Sequence, residues 1–161
     1  MAEPAVVNAS PLIYLARAAC FNLLRVASEQ VVVPASVDNE LRRRGANDPA
    51  VQAMDQSPWL MMVADPLIPS AIQVWDLGAG ESAVLAWAQG HIGSEAIIDD
   101  LAGRRCAATL GIPVRGTFGI VLAAKRRGII PLARPLIDSL RQCGLYLSDR
   151  LVNDALALVG E

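Results

Sequence analysis

Residues 95–108 read EAIIDDLAGRRCAA and decide the fold. A short apolar run is followed by two adjacent carboxylates, Asp99 and Asp100, and then by a helical pattern. This order predicts a buried strand that ends in acids and turns into a helix. Open α/β folds bind their ligands beyond the carboxyl ends of the strands, so we expect Asp99 and Asp100 to form one wall of a divalent-metal site.

Apolar runs and helical patterns alternate along the rest of the chain. Further strands are predicted over residues 5–7, 31–33, 59–63 and 111–114. Such alternation predicts right-handed crossovers and a mainly parallel sheet with helices on both faces. No linker or internal repeat divides the sequence, so residues 1–161 are expected to form a single α/β domain.

Helix boundaries are predicted from capping residues. The first helix is expected to have Ser10 as its N-cap and Pro11 at its first position, and to continue to Val26. Later helices are expected to begin at Asp48 and Ser148, whose side chains can accept hydrogen bonds from free backbone N–H groups.

The composition is apolar, with 53% hydrophobic residues and a mean hydropathy of +0.38. We expect this excess to be buried in a covered sheet and at an interface, which predicts a homo-oligomer such as a dimer. No apolar run approaches the about 18 residues that cross a membrane. The Met-Ala-Glu-Pro start does not resemble a signal peptide, and three isolated cysteines indicate a reducing compartment, so a cytoplasmic location is expected.

The formal net charge is −2, but basic residues cluster at 42–44, 104–105 and 125–127. Such clusters can follow the phosphates of a nucleic acid. The alternative, which we favour for any single cluster, is a solvated helix end where the helix dipole stabilises cations.

Oxygen-bearing side chains follow the predicted strands at positions that a parallel sheet brings to one edge. Asn8 ends the first strand, Glu40 lies on the second helical turn after the second strand, and Glu81 lies in the first turn of a later helix. Together with Asp99 and Asp100, these residues are expected to converge. Several carboxylates at one edge repel each other unless a cation joins them, and oxygen ligands suit Mg²⁺ or Mn²⁺. Such an ion can activate water and hold a phosphate oxygen for in-line displacement.

Each of these residues also has a purely structural interpretation. Glu40 can pair with Arg44 four residues later, and Glu81 can satisfy a helix N-terminus. Either aspartate can cap its helix, the second can pair with the arginine four residues after it, and Asn8 can be a turn residue. Taken singly, each structural interpretation is favoured. The joint placement favours a shared site, because caps alone do not require a common edge.

Several short segments, in their order and spacing, resemble those of a known family. They read VNASPLI (7–13), VPxxVxxE (33–40), GxGExA (78–83), IDDxxxR (98–104), GTxG (116–119) and AKxxG (124–128). No single segment is specific, but together they resemble the PIN-domain family over most of the chain. The similarity is to a PIN-like branch related to the ribonuclease toxins of toxin–antitoxin pairs, the VapC type.

The resemblance implies a three-layer α/β/α domain with a central, mainly parallel sheet, a Mg²⁺ or Mn²⁺ cofactor and endoribonuclease activity. The implied partners are RNA and an antitoxin protein. The implied catalytic residues are Glu40, Glu81, Asp99 and Asp100, and the implied metal ligands are these four together with Asn8. The implied substrate contacts are Ser10, Arg104 and Thr117.

One departure from the family pattern affects the metal site. Asn8 occupies the position at which the family usually has its first aspartate, and an amide oxygen adds no negative charge. The affinity for divalent ions should therefore be weaker. Because successive residues that leave a strand face different ways, only one of Asp99 and Asp100 is expected to contact the metal directly, and we favour Asp100.

Two functional hypotheses from different classes follow. The first is a metal-dependent ribonuclease that acts as the toxin of a toxin–antitoxin pair. The second is a catalytically weak or inactive PIN-like module that binds nucleic acid or protein. A flavodoxin-like signalling receiver ranks below both, because the acid pair Asp99 and Asp100 ends a late strand rather than the first.

Overall fold

A five-stranded, entirely parallel sheet forms the centre of the molecule. The structure, a computed structural model, describes residues 3–161. Met1 and Ala2, on which part of the signal-peptide expectation rests, lie outside the described residues. The strand order is β3-β2-β1-β4-β5, with β1 (Ala5–Val7), β2 (Val31–Pro34), β3 (Leu60–Val63), β4 (Ala96–Ile97) and β5 (Val114–Arg115).

The central strands are apolar along their whole length because helices cover both of their faces. Every residue of β1, β2 and β4 is buried, whereas the edge strands β3 and β5 are partly exposed. In the register of the sheet, Val6 lies between Val32 and Ala96. The predicted α/β class with a parallel sheet is confirmed.

Two groups of helices flank the sheet. Helices α2, α4 and α6 each pack against α5, and helices α3, α7 and α8 each pack against α1, while α2 also contacts α1 and α3. The bounds are α1 (Ala9–Arg17), α2 (Ala35–Arg42), α3 (Pro49–Asp55), α4 (Ser70–Gln73), α5 (Ala79–Gly90), α6 (Leu101–Thr109), α7 (Thr117–Arg126), α8 (Arg134–Gln142) and α9 (Asp149–Leu158). No helix among residues 3–161 combines the length and apolarity needed to cross a bilayer.

Two predicted helix caps are confirmed. The Asp48 side chain accepts a hydrogen bond from the Ala50 N–H at the start of α3. The Ser148 side chain accepts one from the Leu151 N–H at the start of α9. In each case a short polar side chain satisfies a backbone donor that the first helical turn leaves free.

The prediction of one long first helix is wrong. The N-cap is Asn8 rather than Ser10, Pro11 is the third helical residue, and α1 ends at Arg17. A separate 3₁₀ helix then covers Phe21–Val26. The break lies at Ala19, whose φ is +55°.

The chain at Ala19 forms a Schellman turn. The Ala19 N–H donates to the Ala16 carbonyl at 3.1 Å, and the Cys20 N–H donates to the Leu15 carbonyl at 2.9 Å. Glycine usually occupies the left-handed position of this motif, so an alanine there hides the helix end from a sequence-based analysis.

Candidate functional site

The sheet changes its direction of growth between β1 and β4. Strands β2 and β3 are added on one side of β1, and β4 and β5 on the other. A crevice opens at such a switch point, beyond the carboxyl ends of the strands. Asn8 directly follows β1, and its N–H donates to the Ile97 carbonyl of β4 at 3.0 Å. Asp99 and Asp100 leave β4 beside it, so the switch point carries three of the predicted site residues.

The first turn of α5 places Glu81 at this edge of the sheet. The Asn8 side chain and the charges of Asp100 and Glu40 all act on its carboxylate. Burial first, and then these two like charges, raise the pKa of Glu81, while the Asn8 side chain opposes the rise. We call Asn8, Glu40, Glu81 and Asp100 the acid cluster.

Two glycines leave space around the acid cluster. A Cβ at Gly80 would lie 3.2 Å from Asn8 Oδ1 and 3.3 Å from Glu40 Oε2. A Cβ at Gly103 would lie 3.4 Å from Glu81 Oε2. The amide and carboxylate oxygens therefore line a space that a side chain at either position would begin to fill. Oxygen donors of this kind fit Mg²⁺ or Mn²⁺.

The acid cluster carries uncompensated negative charge. Among residues 3–161, no basic side chain forms an ion pair with Glu40, Glu81 or Asp100. Arg44, the alternative partner of Glu40, instead pairs with Asp48 at a Nε–Oδ2 distance of 2.9 Å. A cation from solution would therefore relieve the repulsion that the folded chain imposes on these carboxylates.

Two of the purely structural roles that the sequence suggested, those of Asp100 and Glu81 at helix N-termini, are also present in the structure. The Asp100 side chain caps α6 by accepting a hydrogen bond from the Gly103 N–H at 3.1 Å. Glu81 lies in the first turn of α5, where the helix dipole favours a negative charge. A carboxylate has two oxygens and several lone pairs, so capping does not prevent Asp100 from also serving the acid cluster.

Asp99 is held away from the acid cluster by the start of α7. Its Oδ1 accepts a hydrogen bond from the Thr117 N–H and its Oδ2 accepts one from the Thr117 hydroxyl, both at 2.7 Å. Burial raises the pKa of Asp99, and these two bonds and the nearby charge of Arg104 oppose the rise. A Cβ at Gly116 would lie 2.9 Å from Asp99 Oδ1, so only glycine permits this approach without a shift.

The predicted substrate contacts occupy different environments. Ser10 is half-buried in the first turn of α1, two residues beyond Asn8. Arg104 is exposed, and its Nη1 lies 3.4 Å from the position of a Cβ at Gly116. The Thr117 side chain is fully buried, with its hydroxyl bound to Asp99.

The structure thus gathers acidic side chains at the switch point of a parallel α/β sheet. A family model described as a PIN domain matches residues 4–161, and the chain therefore belongs to the PIN-domain family. Neither a curated protein nor a solved structure matches the chain significantly. PIN domains generally use divalent metals, which agrees with the oxygen-rich chemistry of the acid cluster.

Replacing Glu81 by Gln should stabilise the folded chain in a solution that contains a chelator. The raised pKa of Glu81 means that its ionised form costs more free energy in the folded chain than in the unfolded chain. This cost is absent below the ordinary glutamate pKa and appears as the pH rises through the folded pKa. The Tm of Glu81→Gln should therefore equal that of the wild type at about pH 4 and exceed it by about 1–3 °C at about pH 7.5, a small gain because the side chain is partly solvated.

Thermal unfolding followed by circular dichroism measures both values. The matched control is Glu29→Gln, an exposed glutamate at the opposite, amino-terminal end of β2. It should leave Tm unchanged at both pH values. A lower Tm for Glu81→Gln than for the wild type at the higher pH would contradict the charge repulsion described above.

Proposed function

We propose that the chain is a metal-dependent endoribonuclease that hydrolyses RNA phosphodiesters with Mg²⁺ or Mn²⁺. The observation that carries the proposal is the convergence of Asn8, Glu40, Glu81 and Asp100 from four separate segments, with no basic partner for the carboxylates among residues 3–161. Structural ion pairs would neutralise such acids, whereas an acidic metal site needs them free. Membership of the PIN-domain family supports the same activity.

The proposed metal ligands come from the acid cluster and from water. No three Asp, Glu, His or Cys side chains of residues 3–161 are placed to hold one ion by themselves. Mg²⁺ commonly takes one or two carboxylates and keeps several waters. The Asn8 amide oxygen, a pair of carboxylates and water therefore form a sufficient set. When bound, the ion would polarise a phosphate oxygen and lower the pKa of a bound water.

Other side chains of the site have supporting roles in the proposed reaction. We propose that Asn8, whose side chain favours the ionised form of Glu81, supplies the amide oxygen of the site. We assign Asp99 a positioning role, because its hydrogen bonds with Thr117 tie the start of α7 to the segment that follows β4. We propose that Arg104 and the Ser10 hydroxyl contact the phosphates of the RNA.

RNA cleavage should depend on a divalent ion. The purified chain is expected to cut single-stranded RNA in millimolar Mn²⁺ or Mg²⁺, to stop in excess EDTA, and to recover when Mn²⁺ is added back. Gel analysis of end-labelled RNA measures this directly. Cleavage that continues unchanged in EDTA after dialysis would exclude the proposed chemistry.

A second candidate function is a binding module without turnover. It is favoured by the neutral amide of Asn8 and by the lack of three acidic, His or Cys side chains placed around one point within residues 3–161. This candidate predicts RNA binding that EDTA does not change and no cleavage products. The divalent-ion experiment therefore separates the two candidates.

We further propose that the chain is a cytoplasmic toxin that is held in check by an antitoxin protein and that it associates as a dimer. Apolar side chains on the surface support such association. Met61 and Met62 on the edge strand β3 are 38% and 48% exposed, and Leu67 just after it is 95% exposed. An edge strand with apolar side chains can pair with another chain. Light scattering on the purified chain tests the dimer, which a monomer mass at micromolar concentration would exclude.

A further inference from the structure

A pocket with a volume of about 410 Å³ opens beside the acid cluster. Ala79 and Ser82 in its wall flank Gly80 and Glu81 in the first turn of α5, so the pocket and the acid cluster share one helical turn. Ser36 in its wall lies one turn before Glu40 on α2. We call this cavity the side pocket. Its volume lies within the range of small-molecule sites, which is about 300–1,000 Å³.

Two polar side chains of the side pocket, Ser82 and Asp76, have no hydrogen-bond partner within residues 3–161. Ser82 is 9% exposed, and its hydroxyl is open to solvent and therefore available to a ligand. The Asp76 carboxylate is exposed and makes neither a hydrogen bond nor an ion pair there. Its left-handed φ of +52° belongs to the turn that ends α4, in which the Asp76 N–H donates to the Gln73 carbonyl at 3.0 Å.

The other polar residues of the wall are already engaged. The Asp65 carboxylate accepts hydrogen bonds from the N–H and the hydroxyl of Ser36, which fixes the loop after β3 to the start of α2. Gln73 donates its Nε2 to the Ile68 carbonyl at 2.8 Å, which leaves its Oε1 as an acceptor. The side pocket thus offers acceptors at Asp76 and Gln73, and a hydroxyl at Ser82.

The charge of the side pocket decides which part of an RNA fits it. Its lining contains two aspartates and no Lys, Arg or His. Such a surface repels phosphate and favours a neutral ligand that donates hydrogen bonds. Apolar side chains of the wall, Ile68 and Leu77, provide surface for the flat face of a base.

We propose that the side pocket binds the guanine base of the nucleotide beside the cleaved bond. The Watson–Crick edge of guanine presents two adjacent donors, N1–H and N2–H₂, which one carboxylate can accept together. Asp76 accepts these donors, and the Ser82 hydroxyl donates to the neighbouring O6. The other three bases do not offer two adjacent donors to Asp76. This assignment rests on the proposed ribonuclease function for its biological context, and it predicts a guanine preference at the cleavage site.

The first test measures nucleotide binding without any cleavage. GMP, AMP, CMP and UMP are titrated into the full chain in EDTA, with binding followed by NMR. GMP should bind about tenfold more tightly than AMP, as expected for one bidentate contact to a base. Asp76→Asn should remove the difference. Asparagine is chosen because it tolerates a left-handed backbone and removes only the charge and one acceptor.

Two further variants make the result specific. Ser82→Ala should weaken GMP binding about threefold through the loss of one hydrogen bond, and it tests the pocket even if Asp76→Asn fails to fold. Asp138→Asn, an exposed aspartate on α8 outside the side pocket, should leave all four affinities unchanged. Equal affinity for the four nucleotides, or a GMP preference that Asp76→Asn and Ser82→Ala both retain, would overturn the proposal.

The second test distinguishes this inference from the proposed function. A randomised RNA is digested in Mn²⁺ and the cleavage sites are sequenced. Enrichment of guanine at one position beside the cut, lost in Asp76→Asn, supports the side pocket. Cleavage without enrichment overturns the side pocket and leaves the ribonuclease intact. A GMP preference in a chain that cleaves no RNA supports the side pocket and excludes the ribonuclease.

Discussion

Glu81→Gln is expected to lower Mn²⁺-dependent RNA cleavage by about 100-fold or more. Glutamine keeps the length of the side chain and one carbonyl oxygen, but it removes the charge at the centre of the acid cluster. The Glu81 carboxylate interacts with Asn8, Glu40 and Asp100, so its loss affects every proposed ligand. Initial rates on one labelled RNA, measured at saturating Mn²⁺, give the effect.

The matched control for this experiment is Glu29→Gln, which makes the same chemical change at an exposed site before β2. It should cleave RNA at the wild-type rate. Glu81→Gln should be inactive and yet at least as stable as the wild type in chelator, and this combination separates a lost site from a lost fold. A rate within twofold of the wild type would exclude Glu81 from the reaction.

Thr117→Val is expected to lower the free energy of unfolding by about 1–3 kcal/mol. The Thr117 side chain is fully buried, and its hydroxyl donates to Asp99 Oδ2 at 2.7 Å. Valine has the same shape but leaves this carboxylate oxygen without its donor. The remaining bond from the Thr117 N–H does not replace it. Urea unfolding with an unchanged m-value would measure the loss.

Thr109→Val is the matched control for this second experiment. The Thr109 hydroxyl is exposed and donates to the Arg105 carbonyl within α6, so its removal should change stability by no more than about 0.5 kcal/mol. If the two variants have the same free energy of unfolding, the hydrogen bond from the Thr117 hydroxyl does not anchor Asp99. That result would contradict our explanation of why Asp99 lies apart from the acid cluster.

The first three strands are predictable from the sequence because each is an uninterrupted apolar run, which in β1 and β2 follows from burial on both faces. Residues 5–7, 31–33 and 59–63 match β1, β2 and β3 to within one residue at each end. The fifth strand is displaced, since 111–114 was predicted and Val114–Arg115 is found. An edge strand with an ion-paired arginine, bound to Glu95 at 2.8 Å, lacks the purely apolar signal of the central strands.

Long-range contacts explain what the sequence could not decide. The sequence indicates that Asp99 and Asp100 face different ways, but not what each of them contacts. In the structure Thr117, 18 residues later, binds Asp99, whereas Asp100 lies near Glu81. Arg44 has an acid four residues away on either side, Glu40 and Asp48. Helix α2 ends at Arg42, so Arg44 lies beyond the helix that carries Glu40, and it pairs with Asp48.

The roles of the glycines near the site also depend on long-range contacts that the sequence does not reveal. Gly80 and Gly116 belong to the segments that resemble the PIN family, but their sequence context assigns them no role. Their role is visible only where a Cβ would meet Asn8, Glu40 or Asp99 in space.

The most direct test of the account is a calorimetric titration of Mn²⁺ into the metal-free chain, beside Glu81→Gln and Asp100→Asn. Glu81 comes from α5 and Asp100 from the end of β4, so only a shared site makes both variants fail together. We predict saturable binding to one site in the wild type and its loss in both variants. Absence of saturable binding at millimolar Mn²⁺, or binding that both variants retain, would contradict the proposal that the acid cluster is a metal site.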